Sequence, residues 1–527
     1  MPQAPFGYRI RTYDIIAFGD ELPGILSLVC AAREYYRRTN EYPHSLLMFK
    51  GDSRQGIGGH LVRGGLSYLD RSSIPLEIRR TYNLESFGDA PAIYEEFLQR
   101  VGVVQVALDP IKASQVLREM LREIRADILS NIEIESVTKQ RNQIVGINLT
   151  KKETYLAKQF IDSTVNAELA QAAGVKKLKG FETFGLPDSE LSVTLVFQTQ
   201  GLSIQRLKNI EKLYLERFTN LNDRDAQNWL NQAGGNNPEI ANRLRKSLVD
   251  RNGKLKTMYV GKDYIDIRCK ALSIAYHSFR GTPLILEKSG AILDNGNVAI
   301  LSGGRLSWNA FLYDVNADQA EALARGKAKP TSKMLAEMDY VIKWFKAIGA
   351  NTVTTASELY IRHAGNVTGV IDPLTGAEML AGGVRNEVAL GTFGYHFDIR
   401  GGIKGLGKRA EEKRIENLLH LQKPLFNIGI QHAIIKDIPN LAVISPASGF
   451  EGYACSAGRI VEFNCGVGQG IGIAAGMALQ SNINMGDFSN REIRNILTQT
   501  GKIAKIYGQN YTAQARELGN FENGIAA

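Results

Sequence analysis

A six-residue turn, Gly19-Asp20-Glu21-Leu22-Pro23-Gly24, stands between an apolar run, Tyr13 to Phe18 (YDIIAF), and a helically spaced segment, Ile25 to Tyr36 (ILSLVCAAREYY). A glycine turn in that setting brings backbone N–H groups and a helix N-terminus up to a phosphate. Gly19 suits the tight turn and Gly24 suits close helix–strand packing. Glu21, however, holds the position where bare backbone normally meets a pyrophosphate. A carboxylate ~4 Å from a phosphate charge costs up to about 4 kcal/mol at a surface-like dielectric. The next predicted strand, Ser45 to Phe49 (SLLMF), ends in Lys50-Gly51-Asp52, where a dinucleotide site wants an acid for ribose. Glu21 and Lys50 are therefore expected to compensate one another, as an ion pair or with Lys50 on a phosphate. Asp52 becomes the substitute ribose acceptor.

A second glycine-dense stretch follows: Gly56-Ile57-Gly58-Gly59-His60-Leu61-Val62-Arg63-Gly64-Gly65-Leu66. Its two double glycines, Gly58-Gly59 and Gly64-Gly65, let backbone N–H groups approach a ligand, with His60 and Arg63 as polar heads beside them. Far along the chain, His396, Asp398 and Arg400 alternate in YHFDIRG, so a strand there puts them on one face. That face could carry acid–base work. Arg362, in LYIRH, is suited to clamping a carboxylate or polarising a carbonyl. Gly402 to Lys408 fits GxxxxGK, but Arg409 replaces the hydroxyl residue that binds magnesium, so a phosphate loop is not expected.

These residues need elements to hold them. The opening segment reads strand, turn, helix, strand: a βαβ unit. Residues 111–126 read as a surface helix, and 333–348 as an amphipathic one with Met334, Met338, Val341, Ile342, Phe345 and Ile348 on one side. Leu191 to Gln198 and Tyr264 to Ile274 alternate like strands with one wet face. Near the end, LAVIS from Leu441 reads as a buried strand. A Gly/Ala-rich helix starts near Gly468, and the tail after Asn490 is polar and helical. The layout predicts an α/β nucleotide-binding domain built from both chain ends, with a mixed sheet-and-helix domain inserted. The expected divisions are 1–184, 185–400, 401–490 and a tail, 491–527.

Composition narrows the classes. With 44% apolar and 22% charged residues the chain is ordered, not a disordered polyelectrolyte. Its four cysteines, Cys30, Cys269, Cys455 and Cys465, show no CxxC or zinc spacing, which fits a reducing compartment and excludes a cysteine metal site. The N-terminus lacks the apolar stretch of a signal peptide and no run spans a membrane, so a cytoplasmic protein is expected. Sixty-three basic against 54 acidic residues leave a mild net charge of +9, with no aromatic-plus-basic platform for nucleic acid. The basic loop 400–415 could make peripheral membrane contact.

The motifs, in their order, resemble those of the FAD-dependent oxidoreductase family with a glutathione-reductase type of FAD domain. YDIIAFGDELPG resembles the opening strand and glycine turn, and GIGGHLVRGGLSYLD the second glycine loop. KQFIDSTVNAELAQAAGV resembles the stretch around the family's IDATGDGDLA segment. ELYIRH and HFDIRG resemble two inner motifs, and NLAVISPASG with RIVEFNCGVGQGIGIAAGMAL the closing strand and flavin-facing helix. The resemblance implies a discontinuous Rossmann-like FAD domain of the glutathione-reductase type with an inserted α+β cap. It implies hydride transfer between FAD and a small-molecule substrate, with an unassigned electron partner. Asp162, Gly468, Gln469 and Gly472 match cofactor-side positions, and the helix near Gly468 would aim its N-terminus at the flavin. Glu21, Lys50, Val165 and Asn166 depart from the pattern. They define a second expectation: a binding or scaffold protein that keeps the fold with weakened or lost FAD binding.

Overall fold

In a computed structural model of the chain, residues 9–399, 402–415 and 421–527 are described. Five short strands form an all-parallel sheet. Its members are β1 (Ile15–Phe18), β2 (Ser45–Met48), β3 (Asp127–Leu129), β4 (Gln159–Asp162) and β5 (Leu441–Val443), in the spatial order β5-β4-β1-β2-β3. Helix α1 (Leu22–Thr39) joins β1 to β2, so the opening βαβ unit forms as expected. Strand β1 pairs with β4 through Phe18 opposite Asp162, and β4 pairs with β5 through Asp162 opposite Val443. This brings the two ends of the sequence into one sheet.

Four of the five strands are buried on both faces, β3 at the edge being exposed, and β1 shows why its residues are apolar without alternation. Ile15 and Ala17 enter one core with α1, while Ile16 and Phe18 enter another with Ile144, Ile147 and Tyr155. The second core lies under a four-stranded sheet, Ile134–Gln140, Gln143–Leu149, Glu153–Leu156 and the edge strand Arg9–Thr12.

A separate core is built by an antiparallel seven-stranded sheet whose longest members are Ala291–Leu301 and Arg305–Tyr313. Helices Ile204–Thr219, Ala271–Arg280 and Ser332–Ala347 pack on it. Ser332–Ala347 matches the expected amphipathic helix, with Met334, Met338, Val341 and Phe345 buried. The strand expected over 264–274 is shorter: it ends at Asp266, and Ala271 starts a helix. Ala271, Ile274 and Ala275 recur at helical spacing and sink into the core, and this burial outweighs the local alternation. The strand expected over 191–198 is broken into Val193–Thr194 and Phe197–Gln200. No described helix is long and apolar enough to cross a membrane.

Candidate functional site

The carboxyl ends of β1, β2 and β4 meet at the glycine turn. Gly19 has φ +95°, and a Cβ there would lie 2.7 Å from the Thr164 amide nitrogen. A Cβ on Gly24 would lie 2.2 Å from Ser163 Oγ. Both glycines are thus required by the chain leaving β4, whose Ser163 hydroxyl also donates to the Gly19 carbonyl at 2.8 Å. Asp162, at the end of β4, is fully buried. It accepts from the amides of Thr164 and Ala170 (2.9 Å each) and from the Thr164 hydroxyl (2.6 Å). Burial pushes its carboxyl up to about 6, the hydrogen bonds opposing the shift.

The second glycine loop folds over the turn. It includes the short helix α2 (Gly59–Val62), and its amides are all taken. Gly58 and Gly59 donate to Asp20 Oδ2 at 3.0 and 3.2 Å, and the His60 amide donates to Glu21 Oε1 at 3.1 Å. The His60 ring also pairs with Glu21 through Nδ1 and stacks on Tyr360, centroids 5.0 Å apart. Gly59 sits at φ +49°, and a Cβ on it would fall 2.2 Å from Glu21 Oε1, so the carboxylate lies in the cradle this glycine leaves. Arg63 holds Asp20 through Nη2 at 2.8 Å and Glu358 through Nε at 2.9 Å, donates to the Gly56 carbonyl at 2.9 Å, and lies over the Phe49 ring. Burial raises the Asp20 carboxyl, but Arg63 and the two amides more than offset it and hold it below its ordinary value. Gly64 packs against the His60 backbone, and Gly65 turns the chain at φ +65°.

Other expected site residues have different partners. The Glu21–Lys50 pair does not form. Lys50 Nζ donates to Glu168 at 3.0 Å and to the Arg325 carbonyl at 2.7 Å. Asp52 caps the next turn, accepting from the Arg54 amide and guanidinium, and Arg54 holds its carboxyl down at about 2. The glycine-rich helix α3 (Val461–Ser481) begins nearly two turns before Gly468, so no helix N-terminus faces outward there. Its first turn instead buries Glu462, which accepts from the Ser72 amide and pairs with Arg71. Gly468 and Gly472 face α1. A Cβ on either would lie 2.7 Å from the Pro23 carbonyl or 2.4 Å from that of Ser27. Gln469 accepts from the Ile93 amide at 2.9 Å.

The inner motifs also part company. Arg362 is buried, donates to the Ser192 carbonyl at 2.9 Å and to Asn309 at 3.2 Å, and lies over Tyr360. Asp398 accepts from Arg459 at 2.9 Å. Residues 395–399 form no strand, since Thr392–Gly394 ends before them, so His396 and Asp398 share no strand face. Burial and then Lys423 lower the pKa of His396. Arg400 lies outside the described residues. Sequence reasoning passed over Asp20 and Glu358, which complete the Arg63 bracket, and the pair of Glu190 with His363 (Oε1 to Nδ1, 2.7 Å). Their signal was weak, because Arg63 and Glu358 stand 295 residues apart.

The profile of one known family, described as FAD dependent oxidoreductase, matches residues 52–497. The chain belongs to this family. FAD is the family's cofactor. The matched stretch begins at Asp52, so Asp20, Glu21 and Lys50 lie outside it. Among solved structures, a geranylgeranyl bacteriochlorophyll reductase-like protein from Thermoplasma acidophilum is 9% identical at TM-score 0.35, covering 98% of this chain and 88% of its own. L-proline dehydrogenase from P. horikoshii is 10% identical at TM-score 0.35, covering 94% and 99%. The halogenase PltM is 10% identical at TM-score 0.37, covering 93% and 73%. No curated protein matches the chain in sequence.

The residues at the turn can be tested against FAD directly. A pyrophosphate needs free amides and net positive surroundings. Here the Gly58, Gly59 and His60 amides already hold carboxylates, Asp20 and Glu358 share the Arg63 guanidinium, and Glu21 pairs with the His60 ring. Two phosphate charges brought to ~4 Å of these carboxylates would each meet repulsion of about 4 kcal/mol. The ribose position presents Lys50, engaged with Glu168, and α3 offers no N-terminus at Gly468. Gly19, Gly24 and Asp162 persist because strand packing needs them. In this arrangement the amides of Gly58, Gly59 and His60 are not open to a pyrophosphate.

Proposed function

We propose that the chain is a binding protein on the oxidoreductase scaffold, its dinucleotide cradle sealed by its own side chains. In this reading residues 1–184 and 401–490 form a glutathione-reductase type of domain. Residues 185–400 are the inserted cap, which carries the ligand-facing surface, and 491–527 are a helical tail. The observation that carries it is the capture of three consecutive loop amides by Asp20 and Glu21. A carboxylate on an amide does electrostatically what a phosphate oxygen would do, so the loop is satisfied without a cofactor. The test is the visible spectrum of the purified chain, followed by titration with FAD. The expected protein is colourless, with no saturable FAD binding. Stoichiometric flavin in the preparation would overturn the reading.

A second reading is favoured by family membership: a flavoenzyme that moves hydride between FAD and a small-molecule substrate, with a separate electron partner. It requires Asp20 and Glu21 to leave the amides, and it predicts a yellow protein that bleaches with a reductant.

A further inference from the structure

A cleft of about 550 Å³ opens where the segment 185–190 faces the loop 314–319 and Lys404. Its volume lies in the range of small-molecule sites. Two of its lining residues, Ser189 and Glu190, are buried, and both have polar atoms without a partner. Glu190 Oε1 accepts from the Leu191 amide at 2.7 Å and pairs with His363 at 2.7 Å, the His363 ring being stacked on Phe181 at 4.8 Å. Its other oxygen, Oε2, receives no donor, and neither does Ser189 Oγ.

The same deficit continues inward. Thr194 bridges to Tyr360, and Arg362 donates to the Ser192 carbonyl, so the run from Glu190 to Thr194 lies alongside residues 360–363. Ser192 Oγ and Thr194 Oγ1 are buried without partners. Together with Glu190 Oε2 they fall at alternate positions of the run, of which Val193–Thr194 is strand. Each unsatisfied buried group costs roughly 1–3 kcal/mol, and the two that line the cleft, Ser189 and Glu190, are the ones a bound group can complete.

The charge around the opening specifies the partner. Three carboxylates, Asp188, Asp314 and Glu190, line the cleft against two ammonium groups: Lys404, which reaches Asp314 only at 3.9 Å, and Lys179, which holds Asp188 at 3.2 Å from beside it. The hydrogen bonds wanted are donors to an oxygen, and the field is negative. Among the described residues no three His, Cys, Asp or Glu side chains gather as metal ligands, which directs the choice to an organic cation. We propose that the cleft binds a small molecule through a primary ammonium group, with Glu190 as its counter-ion and Ser189 as a further acceptor. His363 is a positioning residue that fixes the Glu190 carboxylate from behind.

The proposal deepens the reading of a binding protein, and calorimetric titration of the full chain with putrescine tests it separately. Saturable binding is expected, weakened about tenfold or more in Glu190→Gln, the loss of one charge-assisted hydrogen bond. Asp314→Asn at the rim gives a smaller loss and serves if the buried variant does not fold. Equal affinity in the wild type and Asp314→Asn together with Glu190→Gln, or no binding of putrescine, overturns the cleft. Putrescine binding by a flavin-loaded protein would overturn only the proposed function and leave the cleft assigned.

Discussion

Two regions of the molecule stand in opposite states of satisfaction. At the glycine turn the amides of Gly58, Gly59 and His60 hold carboxylates, and Asp20, Glu21 and Glu358 each have donors. Along the run 189–194 four side chains hold buried oxygens with none. The first region is where a dinucleotide fold ordinarily meets its ligand, yet it has closed on itself. The second lies on the other sheet, and it is left open in hydrogen-bonding terms. Family membership alone would direct attention to the first region. Hydrogen-bond accounting directs it to the second, because buried polar groups in folded proteins are paired unless something else completes them.

The comparison breaks most sharply at Arg63. Replacing it with Met leaves Asp20 and Glu358 buried without their counter-ion, and the expected loss is about 3–5 kcal/mol in urea unfolding. Adding Asp20→Asn should recover part of the loss, since one uncompensated charge is then removed. If the cradle were instead built for an anionic cofactor, removing Arg63 would cost little in the cofactor-free protein. A loss below ~1 kcal/mol would contradict the sealed cradle.

A pH series separates the two regions by a second route. In the antiparallel region Glu211 is fully buried, accepts from the Met258 amide at 2.7 Å, and is pushed up to about 7 by burial. In the parallel sheet Asp162 is pushed up to about 6. Both folded-state values lie above the ordinary ones, so the native chain binds more protons than the unfolded chain between about pH 4 and 7. The associated stability is therefore present at low pH and lost as pH rises through the folded values. For Glu211 the difference is on the order of 3 kcal/mol between pH 4.5 and 8. Urea midpoints should fall over that interval, and Glu211→Gln should flatten the fall. A midpoint that rises with pH would refute the assignment.

How far the sequence could anticipate these regions depended on the range of the interaction. The βαβ opening, the strand at Leu441 and the helix 332–347 were legible because burial imprints a period on neighbouring residues. The first glycine turn was legible as a turn, but its polar partners were not. Glu21 and Lys50 end adjacent strands and carry opposite charges, which suggested a pair. In the fold Lys50 reaches Glu168, 118 positions on, and Glu21 reaches the His60 loop, 39 positions on. Helix α3 begins seven residues before the start expected near Gly468, because the glycines look like a helix opening. Tertiary contacts, Glu462 on Arg71 and Ser72, carry the helix back through that stretch. The unsatisfied run 189–194 left no mark in the sequence, since an orphan atom is defined only by what surrounds it.

The smallest effect discriminates the most finely, because Gln469 has a different job in each reading. Facing a flavin, its amide would serve the cofactor, and its loss would alter binding while leaving the cofactor-free fold almost untouched. In the structure its Oε1 accepts from the Ile93 amide, one of the first-turn donors of helix Ala92–Val101 that have no intrahelical partner. Gln469→Leu keeps most of the volume and removes only that acceptor, leaving a buried N–H without a partner. The expected cost is about 1 kcal/mol in unfolding free energy. Amide hydrogen exchange should quicken at Ile93 and its first-turn neighbours, and nowhere near Gly58 to His60. Faster exchange in the loop, with Ile93 unchanged, would mean that Gln469 supports the cradle and would reopen it as a ligand site.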